Sequence, residues 1–173
     1  MAVLMRFFYD YECPYCHRGY GYLLECIGDH PEIELEWRPI EAHPRPENHP
    51  PHTDLCVQSY YIARELGADM AAFHRKMFQA AALERRNVET ADVLVEVLTG
   101  IVDPGKFRAI LESNKYAPRV TENNDLAYEQ SGVWAVPAFR ILRKGAPDKK
   151  LDSPEGVGLT RDQIREFLEH AGA

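Results

Sequence analysis

Apolar residues near the start of the chain change their spacing twice, and each change predicts a new element. Residues 3–9 form a nearly unbroken apolar run, which is typical of a strand buried on both faces. An apolar stripe at helical spacing predicts a helix over residues 15–28. Alternating apolar and polar residues over 33–37 predict a second strand. Strand, helix and strand in this order predict a parallel pair with a right-handed crossover.

A long helical segment is predicted next. It follows a stretch rich in Pro and His at residues 43–51, which predicts an irregular loop. Beyond it, apolar residues recur at intervals of three and four, and Asp103 followed by Pro104 is typical of a helix start. A longer helix is predicted over residues 118–130, ended by Gly132.

The end of the chain returns to strands. Residues 138–142 predict one strand, and a Gly- and Pro-containing turn at residues 144–148 leads to another. Thr160 and Gln163 form a capping-box pattern for a last amphipathic helix. The predicted α/β order is therefore β-α-β, a block of helices, and β-β-α.

Composition limits the classes of protein that the chain can belong to. The 173 residues, 45% of them hydrophobic, suit one compact domain or a small domain with an inserted subdomain. A net charge of −7 predicts no nucleic-acid partner. The sequence lacks the run of about 18–20 apolar residues that spans a membrane, and its start lacks the pattern of a signal peptide. A cytoplasmic protein with no membrane partner is expected, and its oligomeric state is left open.

The sequence Cys13-Pro14-Tyr15-Cys16 lies where the first strand gives way to the first helix. A helix N-terminus offers unpaired N–H groups and partial positive charge, and both stabilise a thiolate. Cys13, nearer the helix end, is predicted to be the exposed nucleophile, and Cys16 to be the less accessible resolving thiol. Pro14 suits the first helical position, and Tyr15 supplies an apolar rim.

Charged neighbours modify this expectation. His17, when protonated, would add positive charge beside the thiolate, although an exposed helix position without that role is equally compatible with the sequence. Glu12 and Asp10 oppose a thiolate by like-charge repulsion. A lowered but not extreme pKa is therefore predicted for Cys13.

Other cysteines and histidines predict no metal site. Cys26 and Cys56 are interpreted as small buried residues. His43, His49 and His52 cluster with Cys56, but the Pro-rich sequence between them and the lack of a standard ligand spacing favour a solvated loop. A single C-x-x-C also favours redox chemistry over a structural zinc site.

The element order, with Cys13-Pro14-Tyr15-Cys16 after strand one and Val136-Pro137 before strand three, resembles the thioredoxin fold with a helical insertion. Proteins of the DsbA family have this arrangement, and Trp37-Arg38-Pro39 resembles its FrnE-like cytosolic branch. The resemblance implies a thioredoxin-like domain of residues 1–50 and 131–173 and an inserted helical subdomain of residues 51–130.

The same resemblance implies a binding site around Pro137. This proline should be cis and face the cysteines, with Val136 presenting its backbone to a bound peptide strand. Together with Pro14 and Tyr15, these residues are the expected substrate-binding surface. The helical block should shape a groove beside it, with apolar side chains as candidates for the wall: Tyr60, Tyr61, Phe73 and Met77.

The favoured function is a thiol–disulfide oxidoreductase or isomerase that acts on disulfides of proteins, peptides or small molecules without a bound cofactor. A glutaredoxin-like enzyme with glutathione as co-substrate is one alternative, and a glutathione-dependent isomerase of the chromene-carboxylate type is another. A non-catalytic interaction module of the same fold is a third. The intact Cys13–Cys16 pair favours the oxidoreductase.

Overall fold

A mixed sheet of four strands forms the centre of the protein in a computed structural model that describes residues 2–173. Its strands are arranged β2-β1-β3-β4, with β1 and β2 parallel and the other pairs antiparallel. Outside the helical block, the elements are β1 (Val3–Tyr9), α1 (Pro14–Ile27), β2 (Ile33–Pro39), β3 (Ala138–Ile141), β4 (Lys149–Asp152) and α7 (Arg161–Glu169). The predicted β-α-β and β-β-α units are confirmed.

Between β2 and β3 the chain is helical. This helical block comprises α2 (Asp54–Glu65), α3 (Met70–Phe78), α4 (Ala91–Val97), α5 (Pro104–Glu112) and α6 (Ala117–Asp125). Helices α3 and α6 each continue into a wider π-helical turn, Gln79–Leu83 and Leu126–Gln130. The helix predicted over residues 118–130 is therefore confirmed in extent, although its hydrogen bonding widens after Asp125. Such wide turns are frequent near functional sites, and both lead into loops of the cysteine site.

Local sequence signals set several helix ends. The Asp103 side chain accepts a hydrogen bond from the Lys106 N–H at 2.8 Å, and Thr160 and Gln163 form the predicted reciprocal capping box. Cys13 caps α1, and Pro14 occupies the first helical position. The capping side chains stabilise these helix starts because they accept hydrogen bonds from N–H groups of the first turn that have no partner within the helix.

The core lies on both faces of the sheet because β1 is central. Met5, Phe7 and Tyr9 point into the main cluster with α1 and the helical block, whereas Phe8 points to the opposite face. There Phe8 packs in a smaller cluster, completed by Ile40, Ala127, Val133 and Ala138. Burial on both faces explains why the sequence of β1 is almost continuously apolar.

A fully buried arginine fixes the loop that precedes β3. Arg140 donates two hydrogen bonds to the Asp152 carboxylate, at 2.5 and 3.1 Å, and further bonds to the carbonyls of Ser131 and Gly132. A buried guanidinium is tolerated only when its charge is paired and its N–H groups are satisfied, and Arg140 meets both conditions. Residues 131–137 are thereby held against the sheet.

Helix α1 packs closely on Pro137 at a glycine. A Cβ at Gly19 would lie 3.0 Å from the Cγ of Pro137, whereas a Cβ at Gly21 meets no heavy atom within 4 Å. The absent side chain at Gly19 therefore permits the approach of the loop to the helix.

We expect Gly19→Ala to lower the free energy of unfolding by about 1–3 kcal/mol, the usual cost of overpacking. Gly21 lies two residues further along the same helix. Gly21→Ala should raise the free energy of unfolding by roughly 0.5–1 kcal/mol because alanine has a better helix propensity than glycine. Urea denaturation of the reduced proteins measures both changes. Stabilisation by Gly19→Ala equal to that of Gly21→Ala would contradict the close packing.

Candidate active site

The two cysteines of the C-x-x-C motif differ sharply in accessibility. Cys13 is 9% exposed and Cys16 is completely buried, and both are free thiols. The sulfur of Cys13 turns inward over the helix end, where it accepts a hydrogen bond from the Cys16 N–H at 3.3 Å. Cys13 is thus less exposed than the sequence predicted, because its sulfur caps the helix and lies close to the backbone. Its remaining surface opens into a cavity.

The pKa values of the two thiols move in opposite directions. The Cys16 side chain, as a hydrogen-bond donor, lowers the pKa of Cys13 together with backbone N–H groups, against the opposing effect of burial. Burial raises the pKa of Cys16 well above its usual value. The hydrogen-bonding effect of Cys13 and the negative charge of the nearby Cys13 thiolate raise it further. A Cys13 thiolate beside a protonated Cys16 is the arrangement that these directions favour.

Asp10 lies beneath the pair at the end of β1. Its backbone N–H is 3.5 Å from the Cys16 sulfur, and its carboxylate accepts hydrogen bonds from the Ala42 N–H and the Thr53 hydroxyl, both at 2.7 Å. Burial raises the pKa of Asp10 to about 7, although these bonds favour the charged form. Once ionised, Asp10 opposes the Cys13 thiolate by like-charge repulsion, as the sequence predicted.

The carboxylate of Glu12, which the sequence also placed beside the thiol, is neutralised by the helical block. Arg85 donates hydrogen bonds to Glu12 Oε2 at 2.7 Å and to the Glu12 carbonyl at 3.0 Å. Arg85 has φ of 52°, in the left-handed region, and lies two residues after the end of the π-helical turn Gln79–Leu83. This uncommon backbone conformation aims the guanidinium at the loop before Cys13.

A cavity of about 430 Å³ gives access to Cys13. Pro14, Tyr15 and Val136 line it with Cys13, as expected for substrate-binding residues, although no contact with a substrate tests that role. Its remaining lining comes from the β1–α1 loop, the 42–49 loop, the helical block and the loops flanking β3 and β4: Glu12, Ala42, His43, His49, Arg85, Tyr128, Trp134, Ala135, Glu155 and Gly156.

The Val136–Pro137 peptide bond is cis, as the resemblance implied. Pro137 is buried against Gly19 of α1, and Val136 is part of the cavity wall. The loop therefore meets the helix that carries the cysteines, and Val136 lies at the entrance to Cys13.

Two expected contributors lie elsewhere. The ring of His17 packs on Phe78, with 5.6 Å between ring centroids, and lies outside the cavity wall, so its effect on the thiolate stays a prediction. The proposed groove wall is wrong: Phe73 and Met77 are fully buried in the core, and Tyr60 and Tyr61 line a separate cavity of about 470 Å³ beside β2. Helix α2 turns these tyrosines towards the sheet edge, away from the cysteines.

Two residues of the cavity were missed by sequence reasoning. Trp134 is 83% exposed at the rim, two residues before Val136, and its large apolar ring has no core to fill. Its position before the Val136-Pro137 pair was a usable signal, since an exposed aromatic residue beside a binding loop favours recognition. Arg85 carried no such signal, because its pairing with Glu12 spans 73 positions.

Over residues 2–173, no helix is both long and apolar enough to cross a membrane. This finding agrees with the absence of an apolar span in the sequence.

Comparisons with known proteins establish the class of fold. No protein-family model matches the chain. The uncharacterized protein YwbO of Bacillus subtilis is 25% identical over 177 residues, covering 82% of this chain and 88% of that protein. The structure of a probable DsbA oxidoreductase from Streptomyces coelicolor aligns with a TM-score of 0.76 and 16% identity, covering 98% of this chain and 89% of that one.

A cytosolic disulfide reductase, DsbM from Pseudomonas aeruginosa, has the same fold, with a TM-score of 0.67 and 18% identity over 96% of this chain and 97% of that one. These alignments confirm the thioredoxin-like fold with inserted helices and the structural resemblance to DsbA-type proteins. At such identities the likeness establishes the fold, and the chemistry has to be argued from the site.

We expect the stability of the reduced protein, relative to its Cys13–Cys16 disulfide form, to pass through a maximum with pH. Above the lowered folded pKa of Cys13, the native state has lost a proton that the unfolded state keeps, so stability rises until the unfolded thiol ionises near pH 8.5. Above that pH the buried Cys16 keeps its proton while the unfolded thiol loses it, so stability falls.

Paired urea melts of both forms at several pH values measure this difference, with slopes of at most about 1.4 kcal/mol per pH unit for one proton. The main contributions of Asp10 and Cys56 occur in both forms and cancel. A difference that stays constant from about pH 5 to 10 would show that neither thiol pKa is shifted.

Proposed function

We propose that this protein is a thiol–disulfide oxidoreductase in which Cys13 is the nucleophile and Cys16 the resolving thiol. The observation that carries the proposal is the asymmetry of the pair: Cys13 opens to the cavity with a lowered pKa, and Cys16 is buried with a raised one. Only the thiolate attacks a disulfide, and the accessible thiol is also the one whose pKa is shifted towards the thiolate.

In the reductive direction, the Cys13 thiolate attacks one sulfur of a substrate disulfide. A mixed disulfide forms, the substrate S–S bond breaks, and the first substrate sulfur leaves as a thiolate. Cys16 then loses its proton and attacks the Cys13 sulfur, which releases the second substrate thiolate. Two electrons have passed to the substrate, whose thiolates take up protons, and the protein holds a Cys13–Cys16 disulfide. The oxidative direction is the reverse.

The cavity favours a polypeptide segment as substrate. Val136 lies beside Cys13 at a loop whose backbone can pair with an extended peptide, and Trp134 offers an exposed aromatic surface next to it. Protein or peptide disulfides are therefore the proposed partners, with no bound cofactor. Pro14 and Tyr15 complete the apolar part of the wall, and the guanidinium of Arg18 lies 5.1 Å from the centre of the Tyr15 ring.

Several finer expectations stay predictions. They are the use of glutathione as co-substrate, a place in the FrnE-like branch and a cytoplasmic location. A glutathione-dependent isomerase and a non-catalytic interaction module fit the site less well, since neither needs a buried resolving thiol beside an accessible one. Support for a reducing role comes by analogy from the cytosolic disulfide reductase of the same fold.

Mixed disulfides should accumulate on Cys16→Ser, because this variant can attack a substrate but cannot release it. Cys13→Ser should form none, since its remaining Cys16 thiol is buried and protonated. Incubation with a disulfide-containing peptide, followed by non-reducing mass spectrometry, measures the adduct, and insulin reduction should fall to background in both variants. Equal adducts on both variants would contradict the assignment, and insulin reduction retained by Cys13→Ser would contradict the proposed function.

Trp134→Ala should lower kcat/KM for a peptide disulfide by roughly five- to thirtyfold, the effect of removing an aromatic contact of about 1–2 kcal/mol. The rate with cystamine, which is too small to reach the ring, should stay unchanged. Leu24→Ala removes another exposed apolar residue, on α1 away from the cavity, and serves as the matched control. Equal rate losses with both substrates would show that Trp134 supports the structure instead of binding the peptide.

A further inference from the structure

Two histidines of the 43–51 loop meet a glutamate at the mouth of the cavity. One potential ligand atom each from Glu12, His43 and His49 lies within 4.8 Å of the other two. The Nε2 of His49 is 3.5 Å from Glu12 Oε1, close to the roughly 3.3 Å that separates two ligand atoms of a tetrahedral zinc ion. The sequence predicted a solvated loop because the histidines show no standard ligand spacing, and it gave no sign that Glu12 would lie beside them.

Each of these side chains keeps one ligand atom available. Glu12 gives Oε2 to Arg85 and retains Oε1. His43 Nδ1 lies 2.8 Å from Glu47 Oε1, so the carboxylate holds the proton on Nδ1 and leaves the Nε2 lone pair free. A carboxylate behind an imidazole is the usual outer partner of a metal-binding histidine.

The loop that carries the histidines is anchored on both sides. Arg45 forms ion pairs with Asp54 at 2.9 Å and Glu89 at 2.5 Å, and His52 lies 3.1 Å from Glu89. His52 therefore belongs to the anchor and not to the cluster. Because the loop is already held in place, binding of an ion causes a smaller loss of conformational entropy.

The charges around the cluster suit a cation. Arg85 compensates the single negative charge of Glu12, and the carboxylate of Glu47 adds one uncompensated negative charge. The rings of His43 and His49 stack with 3.7 Å between their centroids. Because an ion must lie in the plane of each imidazole, binding turns one ring about its Cβ–Cγ bond. Both rings are partly exposed and have room for this rotation.

We propose that Glu12, His43 and His49 form a site for Zn²⁺ at the mouth of the cavity that exposes Cys13. Two imidazoles and one carboxylate are a ligand set that zinc accepts, with the fourth position open to the cavity. A bound ion would stand over the route by which substrates reach Cys13. The inference is independent of the proposed redox function, since none of the three ligands takes part in disulfide exchange.

Calorimetric titration of Zn²⁺ into tag-free, oxidised protein tests the site, because the Cys13–Cys16 disulfide removes the thiolates as competing ligands. One ion should bind per chain. His49→Ala and His43→Ala should each abolish binding, and Glu47→Gln, which alters only the outer partner of His43, should weaken it by about 10- to 100-fold. His30→Ala removes a histidine of the α1–β2 turn and should change the affinity by less than twofold.

Titration with Mg²⁺ under the same conditions should give no binding, because imidazole favours zinc over magnesium. The unfolding temperature of each variant shows whether it is still folded. Because both histidines are partly exposed, their replacement should leave the unfolding temperature nearly unchanged. Absence of Zn²⁺ binding by the folded oxidised protein would overturn the proposal. Equal affinities of His49→Ala and the unaltered protein would do the same, since zinc would then be held elsewhere.

Discussion

The interaction between the Cys13 and Cys16 thiols at the start of α1, which shifts their pKa values in opposite directions, is the one on which the site depends. It requires Cys16 to keep its proton, which burial ensures, and it stabilises negative charge on Cys13, which the helix end already favours. The two thiols are therefore not interchangeable: burial favours the protonated form of Cys16, and the Cys13 sulfur caps the helix by accepting a hydrogen bond from the Cys16 N–H. The strand that delivers Cys13 to this point is itself buried on both faces and cannot shift easily.

The helical block is tied to the cysteines by polar contacts at the cavity. Arg85 reaches Glu12, Thr53 reaches Asp10, and Tyr128 donates to the Glu41 carbonyl at 2.5 Å. All three contacts join residues of the block to the loops that follow β1 and β2. Because buried polar groups are costly when unpaired, these contacts fix how the block meets the sheet at the point where the thiol is reached. Apolar packing elsewhere supplies stability without that specificity.

Much of the fold and part of the site could be predicted from local sequence, and the remainder depended on contacts between distant positions. The strand β1, helix α1 and the capping of α7 each carry their signal within a few residues. The pairs Arg85–Glu12 and Arg140–Asp152 form only after the chain has folded. The approach of Glu12 to His43 and His49 likewise joins positions that are distant along the chain.

The wrong groove wall has a related physical origin. An apolar residue of a helix can face the core, another helix or a ligand, and its periodicity is identical in all three cases. Phe73 and Met77 face the core, whereas the exposed aromatic ring at the cavity belongs to Trp134, which lies outside any helix or strand. Periodicity therefore identified which residues are apolar on one side of a helix, but not what that side contacts.

Asp10 limits how reactive the thiol pair can become. Its carboxyl group, with a pKa raised by burial to about 7, is largely neutral in acid and ionised in base. A rise in pH also favours the Cys13 thiolate, and once both groups are ionised each negative charge opposes the other. The hydrogen bonds from Ala42 and Thr53 favour the charged carboxylate and strengthen this opposition. A thiolate that forms beside an ionised Asp10 is therefore less stabilised than the helix end and Cys16 alone would make it.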